Sequence, residues 1–296
     1  MSNFSPSDAA LEGFRLTRER PGTILAWAGV YFAGIMLLAI VIALGIGPKY
    51  FAFIKDSNSA TDIDDFSNIL ANSTPTLIIG LILAIFLSSI LLNGINRAIL
   101  KPNAGGFSYL KIGSEEVRVS IVSVIIWVTL TLLLSPVAVS LGVLFYALQS
   151  IVQGDLGVIA VAKLAMSVFM FALTATPLIW IGVRLSLLMP HTFYTNKIDF
   201  RGAWQSTKGE FWHLAGMMLL VATFYAMVAL LLLVIDRLGV FLVKDGAESG
   251  ISAPLRYFGL ILSFVLSMIA PVLLGALLVA PFARAYQLIK LRTEEA

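Results

Sequence analysis

The chain has no cysteine, two histidines in 296 residues and a charged fraction of only 12%. Without cysteine there can be no disulfide, no thiolate metal site and no cysteine nucleophile. His191 and His213 stand 22 positions apart, matching neither of the short spacings that set two imidazoles on one helical face to hold a metal. No catalytic motif takes their place. The sequence therefore calls for no cofactor and leads us to expect no enzymatic activity.

Charge is scarce and also unevenly spread. Residues 21–48, 66–96, 119–154, 164–183, 211–235 and 257–283 contain no Asp, Glu, Lys or Arg. A helix rising about 1.5 Å per residue crosses a bilayer core of about 30 Å in about 20 residues, so every run is long enough. Apolar residues make up 59% of the chain, against about 45–50% in soluble domains. The stretches between runs are too short to build a separate soluble core. The sequence thus describes an all-α, polytopic transmembrane helical bundle of six spans, forming one integral membrane domain over 1–296. Arg15, Arg18 and Arg20 precede the first run in the manner of a signal peptide. That run, at 28 residues, exceeds the usual apolar core of about 7 to 15, so it is read as a retained span.

Alternation of six spans sorts the polar pieces into two sets. Residues 1–22, 93–118, 184–211 and 284–296 hold 14 of the 20 bases, the opposite pieces hold 5, and Lys163 lies within a span. Basic residues in short loops mark the cytoplasmic side. Both termini are therefore expected on the cytoplasmic side of the membrane. That face carries net +5 and the other net −3. Anionic membrane lipids are the expected partners of the basic face, and a second copy or other membrane proteins are open to the apolar faces. Nucleic acid is not expected, because no domain exists to carry it.

The basic pieces resemble one another. Phe14, Phe107 and Trp204 precede the first, third and fifth spans, and each is followed four positions later by a base, namely Arg18, Lys111 and Lys208. Arg97, Arg184 and Arg284 follow the second, fourth and sixth spans. This suggests a threefold internal repeat, with units of about 6–100, 101–190 and 198–290, each an interfacial helix plus two transmembrane helices. In 199–209, Phe200, Ala203, Trp204 and Thr207 fall on one helical face opposite Arg201, Gln205 and Lys208, as in a helix lying on a bilayer surface. The six bases Arg18, Arg97, Lys111, Arg184, Lys208 and Arg284 are the candidate anionic-lipid contacts.

Within the spans, Pro136, Pro177 and Pro271 can bend helices and open a cavity. Small residues four apart, such as Gly29 with Ala33, Gly80 with Ala84, Ala138 with Gly142, Ala222 with Ala226 and Ser263 with Ser267, allow close helix approach. Lys163 is the candidate intramembrane functional residue. Seven residues from the outer end of its apolar stretch, it can also snorkel to the surface. No acid joins it near the midplane, so a proton relay is missing. The Asp62-Ile-Asp64-Asp65 cluster lacks the glycine and closing glutamate of a calcium loop.

Two stretches, Arg184-Leu-Ser-Leu-Leu-Met-Pro190 and Trp204-Gln-Ser-Thr-Lys-Gly-Glu-Phe-Trp212, with Glu12-Gly13-Phe14 and Tyr109-Leu-Lys-Ile-Gly113, resemble bacterial inner-membrane proteins related to the membrane domain of glycerophosphoryl diester phosphodiesterases and to the YciC-like proteins. The resemblance implies location and architecture. Hydrolysis in that family belongs to an attached soluble domain, which has no counterpart here. The expected role is a non-catalytic one in scaffolding, regulation or envelope maintenance. Competing readings are a passive transporter or lipid-handling protein with a cavity between kinked helices, and the membrane subunit of an enzyme whose soluble part is a separate chain.

The basic bias makes a direct prediction. Single cysteines at Ser7, Asn103 and Asn196 will be shielded from an impermeant thiol reagent in intact cells, and those at Ser59 and Ser249 will react; the reverse pattern would invert the topology.

Overall fold

A computed structural model describes residues 5–56, 71–103, 107–152, 158–244 and 252–295. The chain begins with two short helices, α1 (Pro6–Ala10) and α2 (Glu12–Glu19), followed by the long α3 (Pro21–Asp56) and α4 (Thr74–Leu100). Two more long helices follow, α5 (Ser114–Val152) and α6 (Val158–Leu185), then the short α7 (Leu188–Thr195) and α8 (Phe200–Ser206). The chain closes with α9 (Phe211–Lys244) and α10 (Ala253–Glu295). Among the described residues, each of the six charge-poor runs lies in a helix long and apolar enough to span a membrane, because a backbone in hydrocarbon must satisfy its own amides. No strand occurs among the described residues. Pro136, Pro177 and Pro271 stay inside unbroken helices, and the segments bearing Ser59, Asp62–Asp65 and Ser249 lie outside the described residues.

The long helices pack as successive antiparallel pairs, α3 with α4, α5 with α6 and α9 with α10, and α10 also touches α2, α3 and α4. The buried core is concentrated at one end of these pairs. One cluster joins Ala9 and Ala10 of α1 to Val183, Leu187, Leu214, Met217, Ala285 and Tyr286. A second joins Leu16 and Trp27 to Ile95, Ala98, Ala276, Ala280 and Ala283. A third small cluster holds Val122, Leu188 and Ala203. Because α1 and the later part of α10 share a cluster, these two elements lie together at one end of the bundle, the one rich in bases. Towards the other end the helices expose Leu132, Phe145, Val161, Phe169, Leu231 and Val234. In water so large an apolar surface would drive association, whereas in a bilayer it meets acyl chains.

Glycine sets the closest approaches. A Cβ on Gly13 would stand 2.7 Å from Leu277 Cα and 3.0 Å from Ala276 O, so α2 lies directly on the α10 backbone. Gly239 and Gly259 meet across α9 and α10 with Ser263 beside them, a close approach that the small-residue pairs of the sequence did not include apart from Ser263. Gly80 similarly packs on Leu38 of α3. The other patterned pairs differ, for Gly29 and Gly142 have nothing within 4 Å, and Ala138, Ala222 and Ala226 are exposed.

Two expectations about the surface segments need correction. The piece before the third span is a 3₁₀ turn, Phe107–Tyr109, and not a surface α-helix. Lys101-Pro102 and Gly105-Gly106 just before it oppose helix formation, and Ser108 and Tyr109 take positive φ of 48° and 63°. Such residues cost about 1–3 kcal/mol each and persist only when neighbours fix them. Here Trp27 Nε1 donates to Ser108 O at 2.8 Å, and Arg20 Nη1 donates to the Tyr109 hydroxyl at 2.8 Å. The stretch after the fourth span, expected as polar loop, instead forms α7, with Leu188, Pro190, His191, Thr192 and Phe193 buried.

These contacts separate two glycines. Gly13→Ala will lower unfolding free energy in detergent by about 1–3 kcal/mol through overpacking, while Gly29→Ala will leave it unchanged or slightly raised. Equal losses would mean that α2 is not seated on α10.

Candidate functional site at the basic end

Each even-numbered span ends in an arginine directed at a surface segment. Arg97, 2% exposed, donates from Nη1 to Tyr109 O at 2.6 Å and from Nη2 to Glu115 Oε2 and Glu116 Oε1, each at 2.8 Å. Its guanidinium also lies 5.5 Å from the centre of the Phe193 ring on α7. Glu116 is 1% exposed, and Lys101 reaches Glu115 at 3.4 Å. Taking such charges out of water is costly, and paired hydrogen bonds offset the cost.

Arg184 donates to Thr207 Oγ1 at 3.0 Å and lies 5.6–5.9 Å from the ring centres of Trp180, Trp204 and Phe211. Trp180 and Trp204 meet edge to face, so three rings share one guanidinium. The two sequence stretches beginning at Arg184 and Trp204 are thus packed on each other through their first residues. Arg284 faces the N-terminal helices, 3.9 Å from Asp8 and 3.8 Å from Glu12. Arg15 holds the same two acids at 2.8 and 2.9 Å. The hydrogen bond to Asp8 and the charge on Glu12 raise the Arg15 pKa further. Arg97 thus engages the second surface segment, Arg184 the third and Arg284 the first, which closes a ring.

The six candidate lipid contacts therefore divide. Arg97 is buried with its donors on protein acceptors, so the expectation of a headgroup contact there gives way to a structural role. Arg184 and Arg284 are half-buried and engaged with neighbouring segments. Arg18, Lys111 and Lys208 remain exposed. Lys163 is exposed on α6, beside an open groove of about 430 Å³ lined by apolar residues such as Val143, Ala162 and Met166.

The sequence reading missed a polar cavity of about 680 Å³ at the basic end, whose lining includes His191, Gln205, Lys208, Glu210, Tyr286 and Lys290. His191 is 8% exposed. Its Nδ1 pairs with the Tyr286 hydroxyl at 3.2 Å, and its Nε2 has no hydrogen-bond partner, the nearest carboxylate oxygen being Asp199 Oδ2 at 3.9 Å. Asp199 is fixed as the cap of α8, accepting from Gly202 N at 2.9 Å. A side chain at Gly202 would collide with Asp199 and with His191 Nε2. Asn93 and Asn96, one turn apart on α4, are fully buried, and neither amide has a hydrogen-bond partner. No run of apolar periodicity marks these residues. The only sequence signal was two asparagines interrupting the last turns of a span. Among the described residues no group of His, Asp and Glu is arranged to hold a metal.

Comparisons with known proteins add nothing to this geometry: no family model, no curated protein and no solved structure matches the chain.

The buried pair can be tested by contrast. Arg97→Ala will strand Glu116 and cost about 3–5 kcal/mol of unfolding free energy, whereas Arg97→Met with Glu116→Leu will recover most of it. Denaturant unfolding in detergent measures both. A single variant as stable as the wild type would remove Arg97 from the framework.

Proposed function

We propose that this multi-pass membrane protein acts without catalysis as a scaffold at the cytoplasmic face of a bacterial inner membrane, where it gathers anionic lipid. The observation that carries the reading is the division of labour among the bases. Three arginines fix surface segments to span ends, and Arg18, Lys111 and Lys208, which begin the odd-numbered spans, stay exposed. Each base near an anionic surface contributes about 1 kcal/mol, so three together favour anionic over zwitterionic lipid clearly. The closed ring of arginine contacts also supports three copies of one unit, with the second copy's surface helix reduced to a turn. The packed stretches at Arg184 and Trp204 accord with kinship to the membrane domain of the glycerophosphoryl diester phosphodiesterases and to the YciC-like proteins.

A transporter would need a series of polar groups along the membrane-spanning halves, and the groove lined by Lys163 and Ser167 is otherwise apolar. The scaffold reading therefore stands ahead of transport. The purified chain will retain phosphatidylglycerol or cardiolipin, and Arg18→Gln with Lys111→Gln will release about half or more of it while the helices stay inserted. Native mass spectrometry reads both forms. Equal retention would leave these bases with orientation alone.

A further inference from the structure

The depth of Lys163 in the membrane can be read along α6 itself. It stands 21 residues before Arg184 on that helix, about 30 Å along the axis and so one hydrocarbon thickness away. With Arg184 engaged at the basic end, Lys163 lies at the opposite edge of the hydrocarbon. Its side chain is exposed, and among the described residues it has no hydrogen bond or ion pair. Helical side chains lean towards the helix N-terminus, which for α6 is that same edge. A cation placed there is costly unless its flexible stem carries it to an anion or to water.

The groove beside Lys163 has a direction. Val158, Ala162, Met166 and Met170 recur every four residues along α6, Lys163 adjoins the row, and Val143 of α5 lines the same groove. The row covers about 18 Å of helix, and Met170 lies about 10 Å deeper in the membrane than Lys163. Ser167 adds no polar opening, because its buried hydroxyl donates to Leu164 O at 2.8 Å. Val143, Val158, Met166 and Met170 are exposed, so the pairing of α5 with α6 leaves a strip for lipid to cover. Charge alone would only anchor the helix, and an apolar strip alone would meet bulk lipid. Here the two adjoin, and one molecule with an apolar tail and an anionic head satisfies both.

We propose that this strip is a binding site for one anionic phospholipid of the leaflet opposite the basic end. Its acyl chain lies along the α6 row, and its phosphate accepts a hydrogen bond from Lys163 Nζ. Phosphatidylglycerol fits better than phosphatidylethanolamine, since the first brings no cation of its own and the ammonium of the second competes with Lys163 for the phosphate. The site lies about a bilayer thickness from Arg18, Lys111 and Lys208, and it stands whether or not those bases gather lipid.

Photocrosslinking tests it. The full chain, one copy per nanodisc of phosphatidylcholine, receives phosphatidylglycerol with a diazirine near the end of one tail, and crosslinked peptides are quantified by mass spectrometry. Contacts at Met166 and Met170 are expected to saturate as the probe fraction rises, while those at the exposed Leu231 and Val234 of α9 rise in proportion to it. Lys163→Gln is expected to weaken the saturable contact about fivefold, the share of one base at an anionic surface. A phosphatidylethanolamine probe is expected to be weaker by a similar factor on the unaltered chain. Ala162→Phe fills the strip but keeps the ammonium, and it is expected to abolish the saturable contact. Both positions are exposed, so neither change removes internal packing. Arg18→Gln with Lys111→Gln is expected to leave the contact intact, which separates failure of this site from failure of the bases at the other end. Labelling of α6 in simple proportion to the probe, as on α9, would overturn the proposal, as would saturable labelling indifferent to Lys163→Gln. So would protection of the α6 strip in discs that hold two chains, which would make a second copy the occupant.

Discussion

A guanidinium removed from water must find acceptors, and much of this protein's basic end follows from three that do. Arg97 illustrates the constraint most strictly, since it is almost wholly buried and its donors end on one backbone carbonyl and two carboxylates. Those acceptors belong to the connection into the next span, so satisfying the charge also fixes the chain's path. The same contact stabilises the left-handed residues Ser108 and Tyr109, which without partners would relax. Arg184 solves the problem with three aromatic faces and a hydroxyl. Arg284 donates to Gln287 Oε1 at 2.9 Å and faces, at 3.8–3.9 Å, the two acids that hold Arg15.

This arrangement explains why the core lies at one end. In the hydrocarbon layer apolar side chains gain little by leaving lipid for protein, so the helices there need only pair. At the headgroup level water competes for every polar atom, and fixed structure requires burial and specific partners. Trp27, Leu187, Leu214 and the alanine face of α10 supply the burial, and the arginines supply the partners. Function is therefore expected at that end, where side chains are held in place and a polar cavity opens.

The spans were legible because a run of 20 or more uncharged residues has few alternatives to a membrane helix, and the six runs became six helices. The identity of the arginines at the span ends was legible too, but their role was not. A sequence cannot separate a base that meets headgroups from one that meets Glu116, because the partner lies across the fold. α7 was lost among polar neighbours, since a short buried segment of Leu, Met, Pro, His and Phe next to a span reads as its frayed end. His191 was discounted for lacking a metal-binding spacing, although its contacts with Tyr286 and Asp199 come from residues 95 and 8 positions away. Distance in sequence hides such a site unless a motif announces it.

Hydrogen exchange of the full chain in lipid nanodiscs tests most directly whether the arginines organise the basic end. If they do, backbone amides in 8–19 will be as protected as those at the inner ends of the spans, and Arg284→Gln will release protection in 8–19 while leaving 107–116 and 199–208 unchanged. Fast exchange of 8–19 in the wild type, or protection indifferent to Arg284→Gln, would contradict the account.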